Sequence, residues 1–275
     1  QTVAGPPDFD TGLRCQMVEY FWETAMSPTF NDHFTPVTTH YAQFRPTYPE
    51  ALFDWLATIA PSRELAWDCA AGNGQATLDL ARYFTRVIAT DASRAQIDAA
   101  PPHPNVEYRV ASAEASGLPE AMVDMITVAQ ALHWFELDCF YAEVRRVLKP
   151  GGILATWSYG VQTVDEPRVD ACVQTFYRDT VGPYWPPERR HVESGYRSLP
   201  FPFREIPAPE FHMTATWTLP ELLGYLRSWS ATGRYLAARG TDPVNDLAAE
   251  LASPWGDPSV RRRVTWPLSL RVGRD

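Results

Sequence analysis

The stretch WDCAAGNGQATLDLA, residues 67–81, brings an acidic side chain and two glycines together where a short apolar segment gives way to an amphipathic one. Asp68 lies near the end of the apolar segment, and Gly72 and Gly74 flank Asn73 in the turn. Because glycine has no Cβ atom, a ligand can approach the main-chain N–H groups of such a turn closely. The stretch therefore predicts a ligand site built largely from backbone atoms.

A second acidic residue, Asp91, ends the next strand-like segment, RVIATD. A carboxylate at that place can accept hydrogen bonds from two ribose hydroxyls, so an adenine nucleoside is the expected ligand. Ser93, followed three residues later by Gln96, already provides a cap for the next helix. The NAD fingerprint G-x-G-x-x-G is not matched, because its third glycine position, counted from Gly72, holds Thr77.

The segments that must position these residues alternate between strand-like and helix-like patterns. The strand-like segments are ELAWD, RVIATD, NVEYRVAS, MVDMITVAQ and ILATWSY, and the helix-like ones are ALFDWLATIA, QATLDLARYF, SRAQIDAA and LDCFYAEVRRVL. The first helix follows Thr47-Tyr48-Pro49-Glu50, which has the spacing of a capping box. This order predicts a parallel sheet with helices on both faces, in which ligands bind beyond the carboxyl ends of the strands.

The alternation breaks after Tyr159, where residues 160–210 become rich in proline and aromatic residues. We interpret this segment as a cap or lid inserted into the sheet domain, with one helix at about 168–180. The segment FHMTATWT then predicts a strand, and Thr218-Leu219-Pro220-Glu221 predicts a capped helix start. The last segment, RRVTWPLSLRVGR, alternates like a strand, although Pro267 predicts a bulge or a strand that starts late.

Composition and charge argue against several classes of protein. The formal net charge of −9 argues against binding nucleic acid mainly through phosphate contacts. The four cysteines contain no C-x-x-C pair, so neither a metal site nor a disulfide framework is expected. Neither a signal-peptide pattern nor an apolar run of about 20 residues is present, so we expect a cytoplasmic protein without membrane contact.

The pattern D-x-x-x-G-N-G from Asp68 to Gly74 resembles motif I of the class I S-adenosylmethionine-dependent methyltransferases. Asp91, the pair Ala113-Glu114 and the segment RRVLKPGG agree with that resemblance. The segments HYAQFRPTYP and AQALHWF are similar to the trans-aconitate methyltransferase-like branch, which carries a methyltransferase type 11 domain. Together these motifs cover about residues 30–159.

The resemblance implies an α/β fold: a Rossmann-like, doubly wound sheet of about seven strands, mostly parallel with an antiparallel last strand, plus a helical and aromatic cap. It divides the chain into an N-terminal extension that need not be native (1–29), a cofactor-binding core (30–159), the cap (160–210), and C-terminal strands and helices that complete the same sheet domain (211–275).

The implied cofactor is S-adenosyl-L-methionine, with S-adenosyl-L-homocysteine as product. Arg45 would pair with the methionine carboxylate of that cofactor, because a guanidinium suits this geometry. Two departures from the family pattern stand out: Ala70 replaces the usual first glycine of motif I, and Ser112 replaces an Asp found in many relatives. The expected cofactor-binding residues are Tyr41, Arg45, Asp68, Ala70, Gly72, Gly74, Gln75, Asp91, Ala92, Ser112, Ala113, Glu114 and Gln130.

Residues after the fourth strand are the candidates for catalysis. Gln130 is expected near the transferred methyl group, and His133 is open to three interpretations: a general base, a hydrogen-bond donor to the substrate, or a packed structural histidine. Trp134, Trp157 and Tyr159 are candidate substrate contacts, with Tyr184 and Trp185 from the cap. Arg189 and Arg190 could attract a carboxylated substrate or could form a solvated charge pair.

The resemblance implies O-methylation of a small carboxylic acid or polar metabolite by in-line transfer. The segment AQALHW stands where N-methylating relatives carry NPPY. The alternatives are an NAD-dependent oxidoreductase and a non-catalytic cofactor-binding protein on the same fold. The expected partner is a small molecule, bound by a monomer or a homodimer, with no nucleic acid and no membrane involved.

Overall fold

The computed structural model describes residues 46–274. The expectations for Tyr41, Arg45 and the extension 1–29 lie outside these residues. None of the described helices is long and apolar enough to cross a membrane.

The described helices and strands follow the alternation predicted from the sequence. In chain order they are α1 (Glu50–Ile59), β1 (Leu65–Cys69), α2 (Gln75–Leu80), β2 (Arg86–Asp91), α3 (Arg94–Ala99), β3 (Val106–Val110), β4 (Val123–Ala129), α4 (Leu137–Val147), β5 (Leu148–Tyr159), β6 (Thr163–Val164), α5 (Pro167–Thr175), α6 (Arg189–Glu193), β7 (Arg204–Glu205), β8 (Phe211–Trp217), α7 (Leu219–Arg227), α8 (Ser230–Arg239), α9 (Pro243–Trp255) and β9 (Arg262–Arg274). A π-helical turn follows α5 at Phe176–Thr180, and short 3-10 turns lie at Leu132–Trp134 and Gly182–Tyr184.

All the described strands form one mixed sheet. Its main path runs β3-β2-β1-β4-β5-β9-β6, and β7 and β8 also pair with β9. Strands β1 to β5 are mutually parallel, whereas β9 is antiparallel to each of its neighbours. Thr265 of β9 pairs with Thr163 of β6 and with Thr214 of β8, so these strands lie on opposite edges of β9. Strand β6 thus extends the β5 side of β9, and the expected sheet of about seven positions is confirmed.

The two faces of the sheet are covered by separate hydrophobic clusters. Within β5, Ile153 and Ala155 belong to one cluster and Leu154 to the other, because successive strand residues point to opposite faces. Helices α1, α2, α7 and α9 contribute to the first cluster, and α4 contributes to the second. This arrangement confirms the doubly wound α/β fold.

The predicted cap, residues 160–210, is attached to the sheet at several points. Its short strands β6 and β7 pair with β9, and its helix α5 packs against α9. The start of α5 is defined by two residues. Pro167 occupies the first position of the helix, and the side chain of Glu166 accepts the N–H of Arg168.

Two expectations about local structure are wrong. Helix α1 begins at Glu50 after Pro49, without a side-chain cap, so Thr47 does not start a capping box. A box headed by Thr47 would require Tyr48 to be helical, and a residue before proline favours extended backbone. In contrast, Ser93 caps α3 and Thr218 with Glu221 forms the capping box of α7, as predicted.

Pro267 neither produces a bulge nor delays the last strand, because β9 is continuous from Arg262 to Arg274. On one edge of β9, β6 pairs up to Thr265 and β5 pairs from Leu268 onward, so Pro267 lies between the two partners. The missing N–H of proline is tolerated at such a gap.

The expectation of unpaired cysteines holds for Cys69 and Cys172, which are free thiols. It is wrong for Cys139, which is disulfide-bonded. The spacing of cysteines along the chain reports only on local pairs, so it could not indicate this bond.

Candidate functional site

A cavity of about 560 Å³ opens above the carboxyl ends of the parallel strands. One side, here called the sheet wall, consists of the loops after β1 to β4: residues 70–73, 91–93, 111–114 and 130–135. The other side, the helical wall, is formed by Trp185, Pro186, Arg189 and Val192 of the cap and by residues 225 and 228–230 around α7 and α8. The cavity therefore lies where a doubly wound sheet binds its ligands.

The turn after β1 is held in an unusual backbone conformation. Ala70, Gly72 and Gly74 all have positive φ, at 54°, 57° and 87°. A Cβ atom on Gly72 would meet only Gln96 Oε1, at 3.8 Å, so the space above Gly72 belongs to the cavity. A Cβ atom on Gly74 would lie 2.7 Å from the hydroxyl of Tyr108. The two glycines thus have different roles: Gly72 leaves space in the cavity, and Gly74 allows Tyr108 to pack closely against the turn.

The carboxylate of Asp91 is oriented by two backbone groups at the cavity edge. Its Oδ2 accepts the N–H of Gly72 at 2.8 Å, and its Oδ1 accepts the N–H of Ser93 at 2.8 Å. These contacts tie the end of β2 to the glycine turn after β1. Because each carboxylate oxygen has two lone pairs, an oxygen that accepts an N–H can also accept a ligand hydroxyl.

Asp68 lies beneath this turn and does not line the cavity. Its side chain is fully buried and accepts the hydroxyls of Thr77 at 2.6 Å and Thr127 at 2.8 Å. Burial is the main reason that the pKa of Asp68 rises to about 6, although both threonine hydrogen bonds act in the opposite direction. Asp68 therefore fastens α2 and β4 to the turn that carries Gly72.

Gln130 occupies a left-handed position, with φ of 59°, directly after β4. Its backbone N–H donates to the carbonyl of Trp157 at 2.8 Å. Its side chain accepts the N–H of Tyr159 at 2.8 Å and donates to the carbonyl of Tyr159 at 3.1 Å. The amide thus ties the loop after β4 to the end of β5, while the residue still lines the cavity.

His133 is fixed by a tyrosine from the cap. Its Nδ1 lies 3.0 Å from the hydroxyl of Tyr196, a fully buried residue. The tyrosine hydroxyl can donate to Nδ1, an arrangement that places the imidazole proton on Nε2. Burial, then the positive charges of Arg189 and His191, lowers the pKa of His133 to about 3. The imidazole is therefore a neutral N–H donor.

The structure brings most of the residues expected from the sequence to one cavity. Those that line it are Ala70, Gly72, Gln75, Asp91, Ala92, Ser112, Ala113, Glu114, Gln130, His133, Trp134 and Tyr159. Asp68 and Gly74 lie behind the turn, and Trp157 is fully buried between Tyr48 and Phe53. No group of three His, Cys, Asp or Glu residues that could hold a metal occurs in the described part of the chain.

Sequence reasoning missed the helical wall from α7. Tyr225, Ser228 and Trp229 line the cavity, whereas the sequence predicts only that residues 211–275 complete the sheet domain. Trp229 lies in extended backbone between α7 and α8, and its ring centre is 5.9 Å from that of Tyr225. Two aromatic residues four positions apart near the end of a predicted helix are a signal that could have indicated a second wall.

Comparison with known proteins agrees with this architecture. Residues 67–156 match the methyltransferase domain family. A protein named putative methyltransferase from Dictyostelium discoideum is 37% identical over 230 residues, covering 82% of this chain and 87% of that protein. A probable S-adenosylmethionine-dependent methyltransferase from Saccharomyces cerevisiae is 28% identical over 58% of this chain and 59% of its own length.

A solved structure shares the whole fold. It is a putative type II methyltransferase from Anaeromyxobacter dehalogenans, with 51% sequence identity and a TM-score of 0.80, covering 84% of this chain and 98% of that one. The sheet order, the cavity at the carboxyl ends of the strands and these similarities have one explanation: the chain belongs to the methyltransferase domain family.

Proposed function

We propose that this protein is an S-adenosylmethionine-dependent methyltransferase that methylates an oxygen atom of a small carboxylic acid or polar metabolite. The observation that carries the proposal is the hydrogen-bonded pair Asp91 and Gly72 at the edge of a cavity that extends to the helical wall. The edge at Asp91 and Gly72 suits a nucleoside cofactor, and the part of the cavity along the helical wall offers room for a methyl acceptor.

The residues of the sheet wall fit such a cofactor. Gly72 leaves a cradle that a Cβ atom would fill, and Asp91 stands beside it as the acceptor for ribose hydroxyls. Ser112 lines the same wall near the expected adenine, with its hydroxyl accepting the N–H of Ala115 at 3.1 Å. These groups would hold the nucleoside through hydrogen bonds rather than through a pyrophosphate turn.

When bound, the cofactor supplies an electrophilic methyl group on a sulfonium, for an in-line displacement by the acceptor oxygen. The chain's own residues mainly have to align the acceptor and exclude water. A carboxylate is ionised at neutral pH because its pKa is near 4, so it needs no base. The neutral His133, an N–H donor at the cavity wall, supports a role in orienting an acceptor oxygen rather than in removing a proton.

Sequence features support oxygen as the acceptor atom. The segment AQALHW after β4 lacks the NPPY pattern of N-methylating relatives. The similarity of HYAQFRPTYP and AQALHWF to the trans-aconitate methyltransferase-like branch favours a small carboxylic acid.

Replacement of Asp91 by asparagine tests the cofactor part of the proposal. Charge-assisted hydrogen bonds contribute about 1.5–3 kcal/mol each, so Asp91→Asn should weaken S-adenosylhomocysteine binding about tenfold or more. The matched control is Asp98→Asn on the exposed face of α3, where Asp98 only approaches Arg94 at 3.9 Å. Titration calorimetry would measure both affinities, with circular dichroism to confirm folding.

Equal affinities in the parent and in Asp91→Asn would refute the ribose assignment. The acceptor is tested separately, by a screen for transfer of a labelled methyl group to small acids, amines and phenols. Transfer to amines but not to acids would refute O-methylation while leaving the cofactor assignment in place.

A further inference from the structure

Arg189 presents a fixed positive charge to the helical wall of the cavity. Its Nε donates to the hydroxyl of Tyr177 at 2.9 Å. Its guanidinium carbon lies 4.5 Å from the ring centre of Trp185 and 5.5 Å from that of Tyr177. The nearest acidic group in this network, Glu193, accepts a hydrogen bond from Tyr177 rather than from Arg189. Stacking on aromatic rings therefore orients this arginine without neutralising its charge.

The charge of Arg189 is felt on both sides of the cavity. It contributes to the lowered pKa of His133 on the sheet wall and opposes the rise in the pKa of Tyr225 on the helical wall. The other charged residues that line the cavity within residues 46–274 are Asp91 and Glu114, both at the end expected to hold the nucleoside. Arg189 is thus the single lining cation of the described chain.

Two further polar side chains that line the cavity, Tyr225 beside Arg189 on the helical wall and His133 on the sheet wall, can donate hydrogen bonds. The oxygen of Tyr225 accepts the indole N–H of Trp266 at 3.0 Å. Indole can only donate, so the hydroxyl proton of Tyr225 is not used in this contact and can be donated to a ligand. Burial raises the pKa of Tyr225 to about 12, which keeps that proton in place. With the hydroxyl of Tyr196 donating to its Nδ1, His133 adds an Nε2–H donor on the opposite side.

The remainder of this half of the cavity is aromatic. Trp185, Trp229 and Tyr159 line it, and the indole nitrogen of Trp185 is buried without an acceptor in the described part of the chain. A group that only accepts hydrogen bonds and carries one negative charge would satisfy these donors and balance Arg189. A second or third carboxylate would have to be desolvated against the rings without a cation to pair with.

We propose that Arg189 anchors one anionic oxygen group of the methyl acceptor, and that the acceptor is a monocarboxylate with a flat or aliphatic apolar body. This inference rests on the proposed function, in that it names the class of molecule that occupies the acceptor half of the same cavity. Arg189 is a specificity-determining residue in this scheme, and the apolar body packs against Trp185 and Trp229, whose ring centres lie 5.6 Å apart at the cavity wall.

The test compares three probes by titration calorimetry, with and without saturating S-adenosylhomocysteine. Cinnamate carries one carboxylate on a flat body, cinnamamide has the same body without the charge, and citrate has several carboxylates without an apolar body. We expect cinnamate to bind about tenfold or more tightly than either of the other two. Arg189→Gln should weaken cinnamate binding by about the same factor and leave cinnamamide within about twofold.

Arg190 gives the matched control. It follows Arg189 directly but is exposed, with its Nε near His191, so Arg190→Gln should leave all three affinities unchanged. Arg189→Lys keeps the charge but loses the planar fork, and we expect an affinity between those of the parent and Arg189→Gln. Arg189→Lys also replaces Arg189→Gln in this comparison if circular dichroism shows that Arg189→Gln is not folded.

Several results would overturn the inference. These are equal cinnamate affinity in the parent and in folded Arg189→Gln, tighter binding of citrate than of cinnamate, or no binding of cinnamate, benzoate and octanoate to protein that binds S-adenosylhomocysteine. Failure to bind S-adenosylhomocysteine, with the pattern for cinnamate intact, would instead refute the proposed cofactor and leave the anchor role of Arg189 standing.

Discussion

His133 shows how the surroundings of one residue decide its chemistry. From sequence it could be a base, a donor or a packing residue, and the contact with Tyr196 favours the donor. With a pKa of about 3, its imidazole has little affinity for a proton at neutral pH. A methyl-transfer rate that depends on His133 as a donor should therefore show no step near pH 6.5.

The same shift predicts how stability depends on pH. The pKa of His133 is about 3 in the folded protein against 6.5 for an ordinary histidine, so between these values the unfolded chain binds a proton that the folded one does not. The contribution of His133 to the free energy of unfolding should thus fall as the pH is lowered, by about 1–2 kcal/mol between pH 7 and pH 5. Urea denaturation of the parent and of His133→Gln at both pH values would measure this.

The variant should lose about 1–2 kcal/mol less than the parent over that interval, because only the histidine contribution is removed. Asp68, whose raised pKa acts in the opposite direction between pH 4 and 6, is common to both proteins and cancels in the comparison. Parallel pH profiles for the two proteins would contradict the lowered pKa.

At the scale of elements, the turn between β1 and α2 combines two functions in three residues. Gly72 borders the cavity, whereas Gly74 starts α2 and faces Tyr108. Ala70 holds a positive φ despite its side chain, which shows that the family's usual glycine is not required there for the turn to form. The hydrogen bond from Gly72 to Asp91 then aligns the turn with the end of β2.

Alanine at the two glycines should separate these functions. Gly72→Ala should cost about 1–2 kcal/mol of stability, from its left-handed φ, but should weaken S-adenosylhomocysteine binding about tenfold or more. Gly74→Ala should cost about 2–4 kcal/mol, since the clash with Tyr108 adds to a left-handed φ. Urea denaturation and calorimetry of both variants would check this.

As a control, both glycine substitutions are also made in the Tyr108→Phe variant, which lacks the hydroxyl that a Cβ atom on Gly74 would clash with. In that background the cost of Gly74→Ala should shrink, while the effect of Gly72→Ala on binding should persist. If Gly74→Ala were the variant that abolished binding with little loss of stability, the division of roles would have to be reversed.

At the scale of the whole molecule, β9 joins the two parts of the chain. Its residues 268–274 pair with β5 of the parallel core, and residues 262–268 pair with β8. Trp266 of this strand also donates to Tyr225 of the helical wall. The cap and the C-terminal helices therefore share a strand with the sheet that carries the cavity.

This connection predicts one cooperative unfolding transition. Val272→Ala, at a fully buried position in β9, should lower stability by about 2 kcal/mol and shift the midpoints of tryptophan fluorescence and far-ultraviolet circular dichroism equally. Val260→Ala, at a side chain that is 44% exposed, is the control and should shift neither. Two separate midpoints would show that the cap and the sheet unfold independently.

The sequence by itself determined the alternation of strands and helices, the cavity edge at Gly72 and Asp91, and the helix caps at Ser93 and Thr218. These features depend on residues close together in the chain: the hydrophobic period of each segment, the glycines of one turn, and the cap within one helical turn. The same local reasoning failed at Thr47 and Pro267, where a following proline and the gap between two neighbouring strands decided the outcome.

Only the tertiary structure decided which residues complete the cavity and in what state. The contact of Tyr196 with His133 joins residues 63 positions apart, and that of Tyr225 with Trp266 joins residues 41 positions apart. The donor pattern around Arg189, the low pKa of His133 and the role of Gly74 in packing all follow from such distant contacts. No spacing along the chain encodes them, because burial and hydrogen-bond partners are set by how α7 and the cap pack against the sheet that β9 completes.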